Sequence, residues 1–239
     1  MNGSPVPATP KSARPSDLEG VWHIGASAPL QAALDAPTCP PAVRQALQTT
    51  LTWQHRCETP MRKTLAAPGV APQLVAALLA CGATASVEME GSATELPLEM
   101  LLEQGKGGRA LVLSIPVAGP ISSSGELRWG EAHVTRAPSD EPIVAAWAVV
   151  ELDGASVRRA RVALTGVWAE PARLARAAER LAGGPLDEAR IQAAAAATAL
   201  EVAPQGDYLG SVEYRKAMAG VVTRRALLAC LRHLGGRDE

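Results

Sequence analysis

The sequence predicts an α+β fold, with helices packed on one face of an antiparallel sheet. Three observations predict it. Apolar residues alternate at period two through RALVLSIPV (109–117) and ELRWGEAHVTR (126–136). Two β-rich runs, PIVAAWAVVELDG (142–154) and SVRRARVALTGVW (156–168), meet at an Asp153-Gly154 turn, a strong hairpin signal. Helical patterns then fill the rest of the chain.

Each element has a local reason. VWHIGA (21–26) is a short strand candidate, and PLQAALDA (29–36) reads as a helix. PPAVRQALQTTLTW (40–53) reads as a second helix, with proline in its first turn, where a missing N–H costs little. APQLVAALLACGA (71–83) is a helix closed by Gly82. ATASVEME (83–90) is a strand, and ELPLEMLLEQGKGG (95–108) a short helix ending in a glycine turn. Its Gly105-Lys106-Gly107-Gly108 lacks the spacing of a phosphate loop and is read as a turn. EPARLARAAERLAG (170–183) and LDEARIQAAAAATAL (186–200) are helices, the second with Asp187 near its start. SVEYRKAMAGVVTRRALLACLRHL (211–234) is a long last helix with Ser211 as its N-cap. Its periodicity turns Met218, Val221 and Leu228 inward and Arg215, Lys216, Arg224 and Arg225 toward the edge.

Composition narrows the function classes. The chain has 239 residues, enough for one or two domains and a sizeable core. It has no phenylalanine and five tryptophans, so the core is Leu, Val and Ala with tryptophan as the large filler. Trp53, Trp129, Trp147 and Trp168 are read as core or interface anchors. The net charge of −1 gives no reason to expect nucleic acid as a partner. No apolar run reaches the length of a membrane span, and the first residues lack the apolar core of a signal peptide. A cytoplasmic location is the expectation. Cys39, Cys57, Cys81 and Cys230 have no metal-ligand spacing and are read as packed thiols. His23, His55, His133 and His233 are scattered, with no ligand-like pair. Ser122-Ser123-Ser124 lies in a linker with no nucleophile elbow around it.

The stretch GSVEYRKAMAGVVTRRAL (210–227) resembles the C-terminal helix of the FAD-binding subunit of molybdenum hydroxylases, the CO dehydrogenase and xanthine dehydrogenase family. RRARVALTGVWAEPARLARAAERLAGGPLDEARIQAAAAA and HVTRAPSDEPIVAAWAVVELDG resemble the same family in the same order. The likeness therefore runs across about 126–232. Upstream, VWHIGASAPLQAAL and RKTLAAPGVAPQLVAALLACGATASVEM are similar to stretches of the family's FAD-binding domain. The resemblance implies four segments. Residues 1–18 form a flexible Pro/Ser-rich tail, and 19–117 a truncated, degenerate FAD-binding-like subdomain. Residues 118–125 are a linker. Residues 126–235 form a CO dehydrogenase flavoprotein C-terminal-like domain, a three-stranded antiparallel sheet against helices.

In that family a Thr-Ile-Gly-Gly-Asn turn lets backbone N–H groups approach the dinucleotide. Here the matching residues are Thr64, Leu65, Ala66 and Ala67, followed by Pro68. Alanine adds a Cβ where the ligand approaches, and proline removes a donor. The following segment, Gly69 to Gln73, has no acid. The family's first glycine-rich loop has only the Pro/Ser tail in its place. Each lost charge-assisted hydrogen bond costs about 1.5–3 kcal/mol. Thr64 to Ala67 thus stand as a non-functional remnant of the FAD turn, with no catalytic residue and no metal ligand.

The expected function is a non-catalytic accessory subunit without bound FAD. It would dock to the molybdopterin-binding large subunit, the iron–sulfur subunit or both, in a hetero-oligomer. The alternative is an FAD-bearing electron-transfer subunit of a molybdenum-containing dehydrogenase. A third option is a free-standing maturation factor.

Overall fold

The structure is a computed structural model and describes residues 16–18, 20–89, 92–116, 126–137 and 140–232. Residues 1–15 of the expected 1–18 tail, the serines at 122–124 with their linker, and His233 lie outside the described residues, whereas Ser16–Leu18 of that tail are a paired strand.

The first half is a five-stranded sheet covered by helices. Its strands are β1 (Ser16–Leu18), β2 (Val21–Gly25), β3 (Thr84–Met89), β4 (Ser92–Pro97) and β5 (Ala110–Pro116). They lie in the order β1-β2-β5-β3-β4, every pair antiparallel. Trp22 and Ile24 alternate inward along β2, as a period-two strand requires. The helices are α1 (Leu30–Asp35), α2 (Pro41–Thr50), α3 (Trp53–Glu58), α4 (Met61–Ala66), α5 (Pro72–Ala80) and α6 (Leu98–Glu103). α5 is buried on every side from Gln73 to Ala80, which its unbroken apolar sequence allows. It ends as the glycine predicted: Gly82 takes φ +70°, and the amide of Ala83 closes back on Leu78.

The second half is a four-stranded antiparallel sheet, β6 (Glu126–Val134), β7 (Val144–Asp153), β8 (Ser156–Thr165) and β9 (Ala172–Leu174), in chain order. The β7–β8 hairpin pairs Asp153 with Ser156, and Gly154 takes φ +58°. Helix α8 (Val212–Arg232) packs on one face, beside Val144, Ala146, Ala148 and Val150, and α7 (Glu188–Glu201) packs against α8 in the same core. α5 packs on the other face, against Trp147, Val149 and Ala163. β7 is therefore buried on both sides, and its near-continuous apolar run reflects this. α8 meets β6 so closely that a Cβ on Gly130 would lie 2.3 Å from the carbonyl oxygen of Ala226.

The α+β class holds, with four differences of detail. The expected three-stranded sheet has a fourth strand, and helices cover both of its faces rather than one. The fourth strand comes from 170–183, read as a helix. Residues 172–174 instead pair with the free edge of β8, and 176–181 form a 3-10 turn. The Glu201 carboxylate accepts hydrogen bonds from the Arg176 and Ala177 amides at the start of that turn. Tertiary pairing overrides a good local helix propensity there. The 40–53 helix is two helices, because Leu51 is extended and Thr52 caps α3 through the amide of His55. The 95–108 helix is shorter, because Ser92–Pro97 is the edge strand beside β3 and α6 starts only at Leu98.

Candidate functional site

Thr64, Leu65, Ala66 and Ala67 do not form an open turn. The first three are the end of α4, and Ala67 is its C-cap. The amide of Ala67 donates to Lys63, and Val70 donates back to Ala67. Earlier in the helix, the amides of Met61 and Arg62 donate to Ala28 and Ala26. Thr64 and Leu65 are fully buried. The Thr64 hydroxyl is enclosed and has no partner among the described residues.

A second glycine segment fills the space in front of this turn. Gly105 takes φ +64°, and Gly107–Arg109 form a 3-10 turn packed against α4. A Cβ on Gly107 would lie 2.0 Å from the Leu65 carbonyl oxygen, and one on Gly108 would lie 3.1 Å from the Ala66 Cβ. The glycines at 107–108 thus serve close packing of chain on chain. A dinucleotide cradle needs several converging, unspent N–H groups. Residues 64–67 lie in a helix and its cap, with the Ala67 amide bonded to the Lys63 carbonyl. Gly107→Ala is expected to destabilise the protein by about 2–3 kcal/mol through overpacking against backbone, read as a lower urea midpoint.

A cleft of about 540 Å³ lies elsewhere, between α5 and the end of the second sheet. Gly69, Pro72 and Gln73 line one wall, and Glu131, His133 and Arg215 stand opposite. None of residues 64–67 lines it. Its buried polar groups are largely committed to one another. Gln73 donates to the Thr165 hydroxyl at 3.0 Å and accepts from the Trp147 indole at 3.0 Å. His133 sits 3.2 Å from Glu131. The two Gln73 contacts tie the two halves together.

Arg215 is the largest departure from the sequence reading, which turned it outward. It is buried, with its side chain 7% exposed. Its guanidinium donates to the carbonyls of Ile143 (2.9 Å) and Gly166 (2.7 Å) and to both oxygens of Asp207 (2.8 and 2.7 Å). Gly166 is at φ +75°, where a Cβ would meet the Ile143 carbonyl. The hydrogen bond from Arg215 holds the Asp207 carboxyl below its usual range, helped by the Leu209 and Gly210 amides. The period-3.6 pattern contained one signal for this, since Arg215 shares a face with Ala219, Val222 and Ala226, all buried. Ser211 caps α8 as expected, accepting from the Tyr214 amide at 3.1 Å.

The remaining candidates are structural. His23 bonds Ser114 at 2.9 Å, and His55 bonds Thr52 at 3.0 Å. No metal-holding cluster is found among the described residues. No helix there is long and apolar enough to cross a membrane. The four cysteines are free. Burial pushes the thiols of Cys39, Cys81 and Cys230 up to about 12. With buried thiols held protonated, iodoacetamide at pH 8 is expected to label half-exposed Cys57 first and to leave Cys39 and Cys230 unmodified until unfolding, as read by peptide mass. Trp22 and Trp147 are buried, whereas Trp53 is exposed. Trp129 stacks on Trp147 with ring centroids 6.4 Å apart, and Arg173 lies over the Trp168 ring.

Comparison with known proteins follows this architecture. The sequence profile of the CO dehydrogenase flavoprotein C-terminal domain matches residues 132–230. Among curated proteins, none matches by sequence. Among solved structures, the chain is similar to one of carbon monoxide dehydrogenase from Hydrogenophaga pseudoflava lacking the Mo-pyranopterin moiety of the molybdenum cofactor. The TM-score is 0.77 at 22% identity, over 92% of this chain and 78% of that one. Reconstituted CO dehydrogenase from Oligotropha carboxidovorans gives 0.74 at 22% identity, over 90% and 77%. Quinoline 2-oxidoreductase from Pseudomonas putida 86 gives 0.73 at 21%, over 92% and 78%. At such identities the structural likeness speaks for the fold. Residues 132–230 are thus similar to the CO dehydrogenase flavoprotein C-terminal domain, and the chain as a whole shares the fold of these carbon monoxide dehydrogenase and quinoline 2-oxidoreductase structures.

Proposed function

We propose that this protein is a non-catalytic accessory subunit that keeps the architecture of a flavoprotein subunit without binding FAD. It acts by docking to a molybdopterin-binding large subunit, an iron–sulfur subunit or both. One observation supports the reading: residues 64–67 are a helix end and its cap, and Gly107 and Gly108 pack directly against Leu65 and Ala66. The alanines at 66 and 67 and the proline at 68 support it from the sequence side. On this reading the chain divides at 118–125 into a degenerate FAD-binding-like part and a C-terminal domain that carries the docking surface. Fold and function separate readily, so retained architecture is compatible with a lost cofactor.

The test is purification from the native host with whatever subunits remain bound, then an absorption spectrum and acid release of any flavin. The expected result is no flavin, together with stable co-purification of a molybdenum- or iron–sulfur-bearing chain. Flavin at one equivalent per chain would overturn the reading and make this an FAD-bearing electron-transfer subunit. Purification of the chain alone would overturn the accessory role and favour a free-standing factor.

A further inference from the structure

We infer that the loop Asp207–Gly210 is a preformed docking tip, with Tyr208 as its aromatic anchor and Arg136 as the receptor for a carboxylate on a partner subunit. The inference rests on the accessory-subunit reading and names the surface and the chemistry of its partner.

Tyr208 is 83% exposed, in a chain with two tyrosines and no phenylalanine. An exposed aromatic ring on a loose loop would be unremarkable. This loop is held from four directions. The Asp207 carboxylate accepts from the amides of Leu209 (2.9 Å) and Gly210 (3.1 Å), and the Asp207 amide donates to the Gly210 carbonyl (3.1 Å). Buried Arg215 grips the same carboxylate through two bonds. Arg136, at the end of β6, donates to the Tyr208 carbonyl at 2.6 Å and sets its guanidinium 5.8 Å from the ring centroid. A side chain held ready in this way loses little freedom on binding. Tyrosine and arginine are also the residue types that concentrate interface energy.

Charge decides the occupant. Asp207 is neutralised by Arg215, whereas Arg136 forms no ion pair with a carboxylate among the described residues. Its contacts with Tyr208 engage one nitrogen and one face of the guanidinium. A planar fork with spare donors matches a carboxylate. The partner surface therefore presents an Asp or Glu beside an apolar patch that receives the Tyr208 ring.

The test uses the full chain, tagged and purified from its native host with its bound subunits. Wild type is compared with Tyr208→Ser, Arg136→Glu and Leu200→Ser, the last removing another exposed side chain (87%) on α7. Retention of the large or iron–sulfur subunit is expected to fall at least tenfold for the first two variants and to stay unchanged for Leu200→Ser. Thermal unfolding of the free Tyr208→Ser chain should match wild type, because the ring buries little. A photo-crosslinker at position 208 should link to a partner peptide containing Asp or Glu. If wild type retains its partner and both tip variants retain it equally well, the docking tip is wrong while the accessory reading stands. If wild type holds no partner subunit, both fail.

Discussion

Replacing Trp147 by alanine is expected to lower stability by about 3–5 kcal/mol. The indole is 2% exposed and stands on the face of β7 that meets α5. Its removal leaves a cavity between the two halves and strips the stack from Trp129. It also leaves the Gln73 carbonyl without its donor at a buried position. Trp147→Phe separates these contributions. One six-membered ring is kept, while the pyrrole part of the indole is lost with its N–H, so the cost should drop to about 1–3 kcal/mol. Urea titration followed by circular dichroism reads both. A loss under 1 kcal/mol for the alanine variant would mean that this junction does not hold the halves together.

Arg215→Ala is expected to cost about 3 kcal/mol at neutral pH, because it leaves the Ile143 and Gly166 carbonyls without the guanidinium donor and the Asp207 carboxylate with only its Leu209 and Gly210 amides. Arg215→Lys should recover little. A single ammonium cannot reach two carbonyls and both carboxylate oxygens in the fixed fork that guanidinium provides. The pH dependence has a definite sign. Asp207 is held below its usual range, so its contribution is present above the ordinary aspartate pKa of about 3.9 and is lost as pH falls through the lowered value. In Arg215→Ala the main cause of that lowering is gone. The gap between variant and wild type should therefore be widest near pH 7 and narrow below about pH 4. Unfolding measured at pH 7 and pH 3 checks this, and a gap independent of pH would show that Asp207 contributes nothing through its charge.

These two residues also mark how far a linear reading reaches. Trp147 was legible as a large core filler within an apolar run, and the strand around it followed from β-branched content and the Asp-Gly turn. Its pairing with Gln73, seventy-four residues earlier, was not, because hydrogen bonds between halves leave no periodic trace. Arg215 was misplaced for a related reason. A charge on an amphipathic helix is ordinarily solvated, and only the carbonyls of Ile143 and Gly166 and the carboxylate of Asp207 make burial tolerable. At 64–68, the resemblance to the family reads the alanines and proline as substitutions in a cradle. That Gly107 and Gly108, about forty residues later, close over the same spot was visible only in three dimensions.

The sequence by itself determined the α+β class, most strands and helices, the Gly82 and Ser211 helix ends, and the resemblance that leads to the flavoprotein C-terminal domain. Those features depend on short-range periodicity, turn chemistry and capping, which act within a few residues. Tertiary structure alone decided the fourth strand, the burial of the second sheet on both faces, the Arg215 grip and the packing over residues 64–67. In each case the deciding partner lies far along the chain: the edge of β8 outweighs helix propensity at 172–174, and distant acceptors outweigh the hydration of a guanidinium at 215.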